Sequence, residues 1–237
     1  GANGGGAVSN LTLNSTGVAS VGTVGTNIGT VTVTQSGGTT FSSTVDAVAV
    51  TLTNTTGTIQ FDGALTATDL NTAAQGYGVS LLGGSTITNA VTFSNTGTTQ
   101  IGDANGDTNT FNGGVTATAG AVTASGSVVT SEDNLALGAV TLVEAQTLTL
   151  DTANTGGGNI TVASLTGVTG GSSENITLES GSGTITVSGA VGTDIGTLTL
   201  QENAAGASGA VSLQGNVVAN TLTTFAQAYD VSLLGGS

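Results

Sequence analysis

Apolar and polar positions alternate with a period of two along nearly the whole chain. Val31-Thr32-Val33-Thr34, Leu148-Thr149-Leu150, Ile160-Thr161-Val162, Ile176-Thr177-Leu178, Ile185-Thr186-Val187 and Leu198-Thr199-Leu200 each set hydroxyls between aliphatic side chains. In extended backbone such a pattern gives one apolar and one hydroxyl-bearing face. Turn signals separate these pieces: Ser36-Gly37-Gly38, Asn105-Gly106-Asp107, Thr155-Gly156-Gly157-Gly158 and Ser180-Gly181-Ser182-Gly183. Helix is opposed by 40 glycines, each costing ~1 kcal/mol against alanine inside a helix, and by the many β-branched residues. Residues 131–146 have an acidic, helix-like start, but Gly138, Val140, Thr141 and Val143 predict strand there too. The chain is predicted to be all-β.

Internal repeats narrow the architecture. Residues 57–85 recur as 209–237, ending in Tyr77-Gly-Val-Ser-Leu-Leu-Gly-Gly-Ser85 and Tyr229-Asp-Val-Ser-Leu-Leu-Gly-Gly-Ser237. Residues 24–33, Val-Gly-Thr-Asn-Ile-Gly-Thr-Val-Thr-Val, recur as 191–200, Val-Gly-Thr-Asp-Ile-Gly-Thr-Leu-Thr-Leu. The two offsets, 152 and 167 residues, differ by 15, close to one strand–turn–strand unit. In a sandwich or closed barrel every strand has fixed neighbours, so such a change would be hard to absorb; a solenoid gains or loses part of a coil. The prediction is a single continuous right-handed parallel β-solenoid (β-helix) over residues 1–237, with roughly a dozen coils. Its interior is expected to hold the aliphatic residues together with Phe61, Phe93, Phe111 and Phe225.

Composition limits the chemistry. The chain has no Lys, Arg, His, Cys, Met, Trp or Pro, and its 14 carboxylates give a net charge of −14. Without His or Cys there is no imidazole base, no thiolate, and no donor set for zinc, haem or iron–sulfur centres. Without cations no side chain can neutralise a nucleic-acid phosphate. No apolar run approaches the ~20 residues of a membrane-spanning helix, so neither nucleic acid nor membrane insertion is expected. Trypsin has no cleavage site, which suits material that persists outside a cell.

One segment has metal-ligand spacing. Asp103, Asn105 and Asp107 put oxygen ligands at alternate positions, as a calcium loop begins. Thr108 stands where such a loop needs glycine and Gly114 where it needs Glu, so a plain polar turn competes with a calcium site shared between coils. Glu132-Asp133 reads as a solvated pair. A glycosidase needs two carboxylates about 5–9.5 Å apart and, in general, aromatic platforms for sugar. With two Tyr and five Phe, a β-helical polysaccharide-degrading enzyme is the remotest reading, and no catalytic residue is expected. Tyr77 and Tyr229 occupy one repeat position, which predicts packing or turn roles.

Thr110-Phe-Asn-Gly-Gly-Val-Thr-Ala-Thr118, Leu222-Thr-Thr-Phe-Ala-Gln-Ala-Tyr229 and Ile87-Thr-Asn-Ala-Val-Thr-Phe93 resemble the large bacterial "beta strand repeat" surface proteins. These are akin to filamentous-haemagglutinin-like adhesins and autotransporter passenger domains. The resemblance implies a secreted, cell-surface β-helical stalk with adhesive or coat roles, and carries over no catalytic residue. The chain opens without Met or a basic leader and reads as a mature or excised piece. Residues 8–17 align, with one gap, to residues 87–97, which follow the first Tyr-centred repeat, so the beginning of the sequence resembles what should follow its end. The expectation is an extracellular structural protein whose partner is itself, through tandem repeats or head-to-tail stacking. The alternative is an adhesin segment that binds surface glycans with calcium in its turns.

Overall fold

A computed structural model of the protein describes residues 8–153, 156–201 and 207–236. Among them are 24 strands and no helix, and every ladder pairing is parallel. The strands wind as a β-solenoid of about 11 turns, close to the dozen that the kernel spacing predicts. The 131–146 stretch is extended, with strand Leu135–Leu142 at its centre.

Three ladders run along the axis, so each turn has three faces. Face I carries the column Ile59–Val79–Thr99–Val122–Val140–Leu165–Val191–Val217. Face II carries Leu65–Ser85–Asn109–Val128–Leu150–Leu178–Leu200. Face III carries Leu11–Val31–Val50–Leu70 and then Val91–Val115–Leu135–Ile160–Ile185–Val211–Val231. The two parts of that third column meet through the Thr72 hydroxyl, which donates to Thr92 O at 3.2 Å and accepts from the Ser94 N–H at 2.7 Å. A turn takes 20 residues from Ile59 to Val79 and 26 from Leu165 to Val191. The difference lies in the loops at the edges between faces.

The period-two kernels explain the core. In Ile160-Thr161-Val162 the aliphatic pair is fully buried and the threonine exposed, and the same order recurs up each face. Phe41 stacks on Phe61 with ring centroids 4.7 Å apart, and Phe93 meets Phe111 edge-on at 6.1 Å. All four rings are buried. Phe225 departs from the expectation: it is 37% exposed, because it lies on the last described turn, with no further turn above it.

Edges impose a different requirement. Where a chain rounds a corner directly above the corner of the previous turn, an added Cβ would strike backbone. Gly57 sits on Gly37, Gly83 on Gly63, Gly120 on Gly97, Gly209 on Gly183, and Gly235 on Gly215. These stacks are the physical content of the glycine-rich turn signals. Asparagine completes the edges. The Oδ1 atoms of Asn10, Asn134, Asn159, Asn175 and Asn216 accept backbone N–H groups of Thr30, Asn159, Thr184, Thr197 and Gly236 on the following turn, each at 2.8 or 2.9 Å.

The long repeats do not keep to one face. The first copy places Ile59-Gln60-Phe61 on face I, whereas its match Val211-Ser212-Leu213 lies on face III. The shorter repeat moves the same way, from Val31-Thr32-Val33 on face III to Leu198-Thr199-Leu200 on face II. The repeated sequence nevertheless keeps its local structure. Asn27 and its counterpart Asp194 both adopt left-handed backbone, φ 64° and 60°, a conformation Asn and Asp tolerate best among non-glycine residues. Tyr77 receives the Ala73 N–H at 2.9 Å and donates to Leu52 O of the preceding turn at 3.0 Å. Tyr229 does the same with Phe225 N–H and Leu200 O at 3.0 and 3.1 Å.

The two tyrosines differ in cover: Tyr77 is fully buried and Tyr229 half-buried. Tyr77→Phe removes both bonds of a buried hydroxyl while the Ala73 N–H still donates to Leu52 O at 2.9 Å, and is expected to cost about 1 kcal/mol. Tyr229→Phe should cost clearly less, because water reaches the groups it frees. Thermal and denaturant melts of the two variants measure the difference, and equal losses would contradict the assigned burial.

Candidate functional site

The loop holding Asp103, Asn105 and Asp107 lies on the I–II edge, between strand Thr99–Ile101 of face I and strand Thr108–Phe111 of face II. Gly102 turns the chain out of the first strand with φ 75°. The next turn rounds this edge with Ser125 alone, between strands Val122–Ala124 and Gly126–Thr130. Gly126 has φ 70°, and a Cβ there would strike Asp107 O. The loop therefore overhangs a pinched corner.

Two of the three sequence-predicted ligands converge. Asp107 Oδ2 accepts the N–H groups of Asp103 and Ala104 at 2.8 and 2.9 Å, closing the loop on itself. The Asp103 carboxyl lies beside that of Asp107. Partial burial first, then the hydrogen bond and charge of Asp107, hold it above the ordinary carboxylate value of 3.8, with a further contribution from Asp62 on the same edge. Asn105 is drawn away. Its N–H donates to Gln146 Oε1 at 2.8 Å, and its Oδ1 accepts the Thr147 N–H at 2.6 Å. This reciprocal pair spans the pinched corner and clasps a loop two turns further along. Among the described residues no three acidic side chains gather as a metal-binding group. What the loop offers a cation is the Asp103–Asp107 pair.

Glu132 and Asp133 lie on the II–III edge. Glu132 has left-handed backbone, φ 69°, and its side chain fills the space above Gly156. The Thr130 hydroxyl donates to Asp133 O. Their role is in the turn as well as toward solvent.

Sequence reading misses a set of carboxylates that serve as staples. Glu174 is fully buried; its Oε1 accepts the Ala145 N–H and its Oε2 the Val168 N–H, both at 3.2 Å. Glu144 Oε1 accepts the Ser172 N–H at 2.9 Å, and the Ser173 hydroxyl donates to Asp194 Oδ1 at 2.9 Å. In a chain without cations these carboxylates find backbone N–H and hydroxyl donors instead. Most of the partners lie 21 to 29 residues apart, so no local motif announces them. The I–II edge is thus tied by successive clasps from Asn105 to Asp194.

No protein-family model matches the chain, and no curated protein or solved structure matches it. The fold itself is that of β-helical repeat proteins.

The raised Asp103 value sets the sign of a pH effect. A carboxyl easier to protonate when folded contributes stability below its unfolded pKa and loses it as pH rises through the folded value. Asp103→Asn removes that loss. Its melting temperature relative to wild type is expected to climb as pH rises above about 4, followed by circular dichroism. A constant difference across pH would contradict the Asp103–Asp107 coupling.

Proposed function

We propose that the chain is a shaft segment of an extracellular structural protein, belonging to a filament, stalk, sheath or surface layer in which coil stacks on coil. One observation carries this reading. Val79 and Leu81 are 0% exposed beneath the strand Thr99–Ile101, whereas their repeat counterparts Val231 and Leu233 are 36% and 42% exposed. A covering turn thus converts the same residues from half-exposed to closed core, so that each turn completes its neighbour. The strand Val231–Leu233 also pairs with Val211–Leu213 on one side and offers its other edge to a further strand. A continuing chain or a second copy would fill that position in the same way. The lack of cationic, imidazole and thiol groups and the backbone-directed use of Glu144 and Glu174 fit a scaffold better than a catalyst. The adhesin-like and autotransporter-like character belongs to this proposal and rests on the resemblance of the repeats.

Cryo-electron microscopy of the native material, following density beyond Ser237, tests the reading. The expected result is a further turn packed on Val231 and Leu233, in rods with an axial repeat of about 4.8 Å. A closed particle in which the protein's own residues cap both end turns would overturn it.

A second reading, an adhesin segment with calcium in its turns, draws on the Asp103–Asp107 pair. Calcium should then raise the melting temperature of the wild-type chain and leave that of Asp103→Asn unchanged. An equal response from both proteins removes this loop as a calcium site.

A further inference from the structure

The carboxylates are unevenly distributed around the shaft. Asp62, Asp103, Asp107 and Glu144 lie on the I–II edge, with Asp194 beside it. Asp46, Asp151, Glu174 and Glu179 belong to the strands of face II. Asp69, Glu132, Asp133 and Asp230 lie on or beside the II–III edge. Every described carboxylate is thus on face II or along its two edges. Among the described residues, face III and the edge joining it to face I carry none.

The internal repeat shows that this distribution follows the face and not the repeated sequence. Because the second copy is rotated by one face, matched residues occupy different edges. Asp62 lies on the I–II edge, and its match on the III–I edge is Gln214. Gly78 lies on the III–I edge, and its match on the II–III edge is Asp230. In both pairs the member on the III–I edge is neutral and its counterpart is an aspartate.

We propose that face III, with the adjoining III–I edge, is a lateral docking surface for face III of a second copy of this chain, so that shafts pair side by side. The inference goes beyond axial stacking, which concerns the end turns. Two chains of net charge −14 without a single cation repel wherever face II meets another copy, because like charges are then brought together at the interface. Face III is where two copies approach without opposed carboxylates. Its outward column is also short and even: Thr116, Ala136, Thr161, Thr186 and Ser212 succeed one another in register. Over about 11 turns at ~4.8 Å, a face roughly 10 Å wide with an adjoining edge of about 5 Å presents about 790 Å², near the ~800 Å² per partner of a standard interface.

The test places equal charge on two faces of the full chain. Thr92→Asp/Thr161→Asp adds two aspartates to exposed positions of face III. Thr86→Asp/Thr149→Asp adds two to face II at the same turns, and Thr92→Asn/Thr161→Asn controls for side-chain size. Circular dichroism selects variants that remain folded. Small-angle scattering over increasing concentration then gives rod cross-section and rod length separately. Wild type, the asparagine variant and the face II variant are expected to double their cross-section. The face III aspartates should weaken pairing about tenfold or more, with recovery in high salt. Wild-type shafts that stay single in cross-section, or equal weakening by both aspartate variants, would overturn the proposal. Loss of axial stacking reads out in length alone, so the two ideas fail independently.

Discussion

A backbone hydrogen-bonded directly to the backbone of the previous turn, about 4.8 Å away, makes every residue face its own equivalent. That constraint accounts for most of the chain. Apolar residues stack into columns interrupted by buried Thr99 on face I and by hydrogen-bonded Ser85 and Asn109 on face II, phenylalanine sits on phenylalanine at Phe41 and Phe61, and glycine sits on glycine at the edges. Outward threonines line up at the same spacing. Parallel ladders satisfy the strand N–H and C=O groups, leaving the edges as the places where side chains must supply partners. Asparagine does this repeatedly, and buried Gln201 does it for Ser180 with bonds of 2.9 and 3.1 Å.

The same constraint explains how so acidic a chain holds together. A Lys or Arg ladder would stack like charges at one-turn spacing, and carboxylates in register face the same difficulty. Asp151 and Glu179 are the one described pair that meets in register; elsewhere the observed solution is dispersion and capture. Carboxylates sit mostly at edges, where loop lengths vary, and several bind backbone amides of neighbouring turns. Glu174 serves loops on two turns at once, and Asp107 closes its own loop. The I–II edge joins loops of varied length, from Ser125 alone to residues 167–173, and clasps them between turns. Variable length is tolerated there because each longer loop is fastened to a neighbour.

Rigidity along the axis follows from the pairing of each turn with the next, and stability is then shared through nearest-neighbour contacts. Each turn covers the one before it: Leu81 is buried beneath a further turn, and Leu233, on the last described turn, is 42% exposed. The proposed role as a shaft builds on this stacking of turns. The uneven ring of charge adds a direction to the sides of the shaft, which the stacking of turns alone would not provide.

Much of the fold is written locally. Kernels such as Ile160-Thr161-Val162 give strands, inward aliphatics and outward hydroxyls, because period-two alternation has one reading in extended backbone. The glycine clusters give the turns, and absent residue types remove whole classes of chemistry. The spacing of Asp103 and Asp107 places both carboxylates in one tight loop. Tertiary structure decided the rest. Asn105 is held by Gln146 and Thr147, some 41 residues away, because they lie within reach across a corner that only the coil creates. Phe225 is exposed although its sequence matches a core pattern, because burial depends on the turn above it. The repeat changed faces because the phase of a coil is the sum of all its edge loops, a quantity no short segment contains. Local alternation therefore determined what each piece is, and the stacking of turns decided which face, which neighbour and which partner it has.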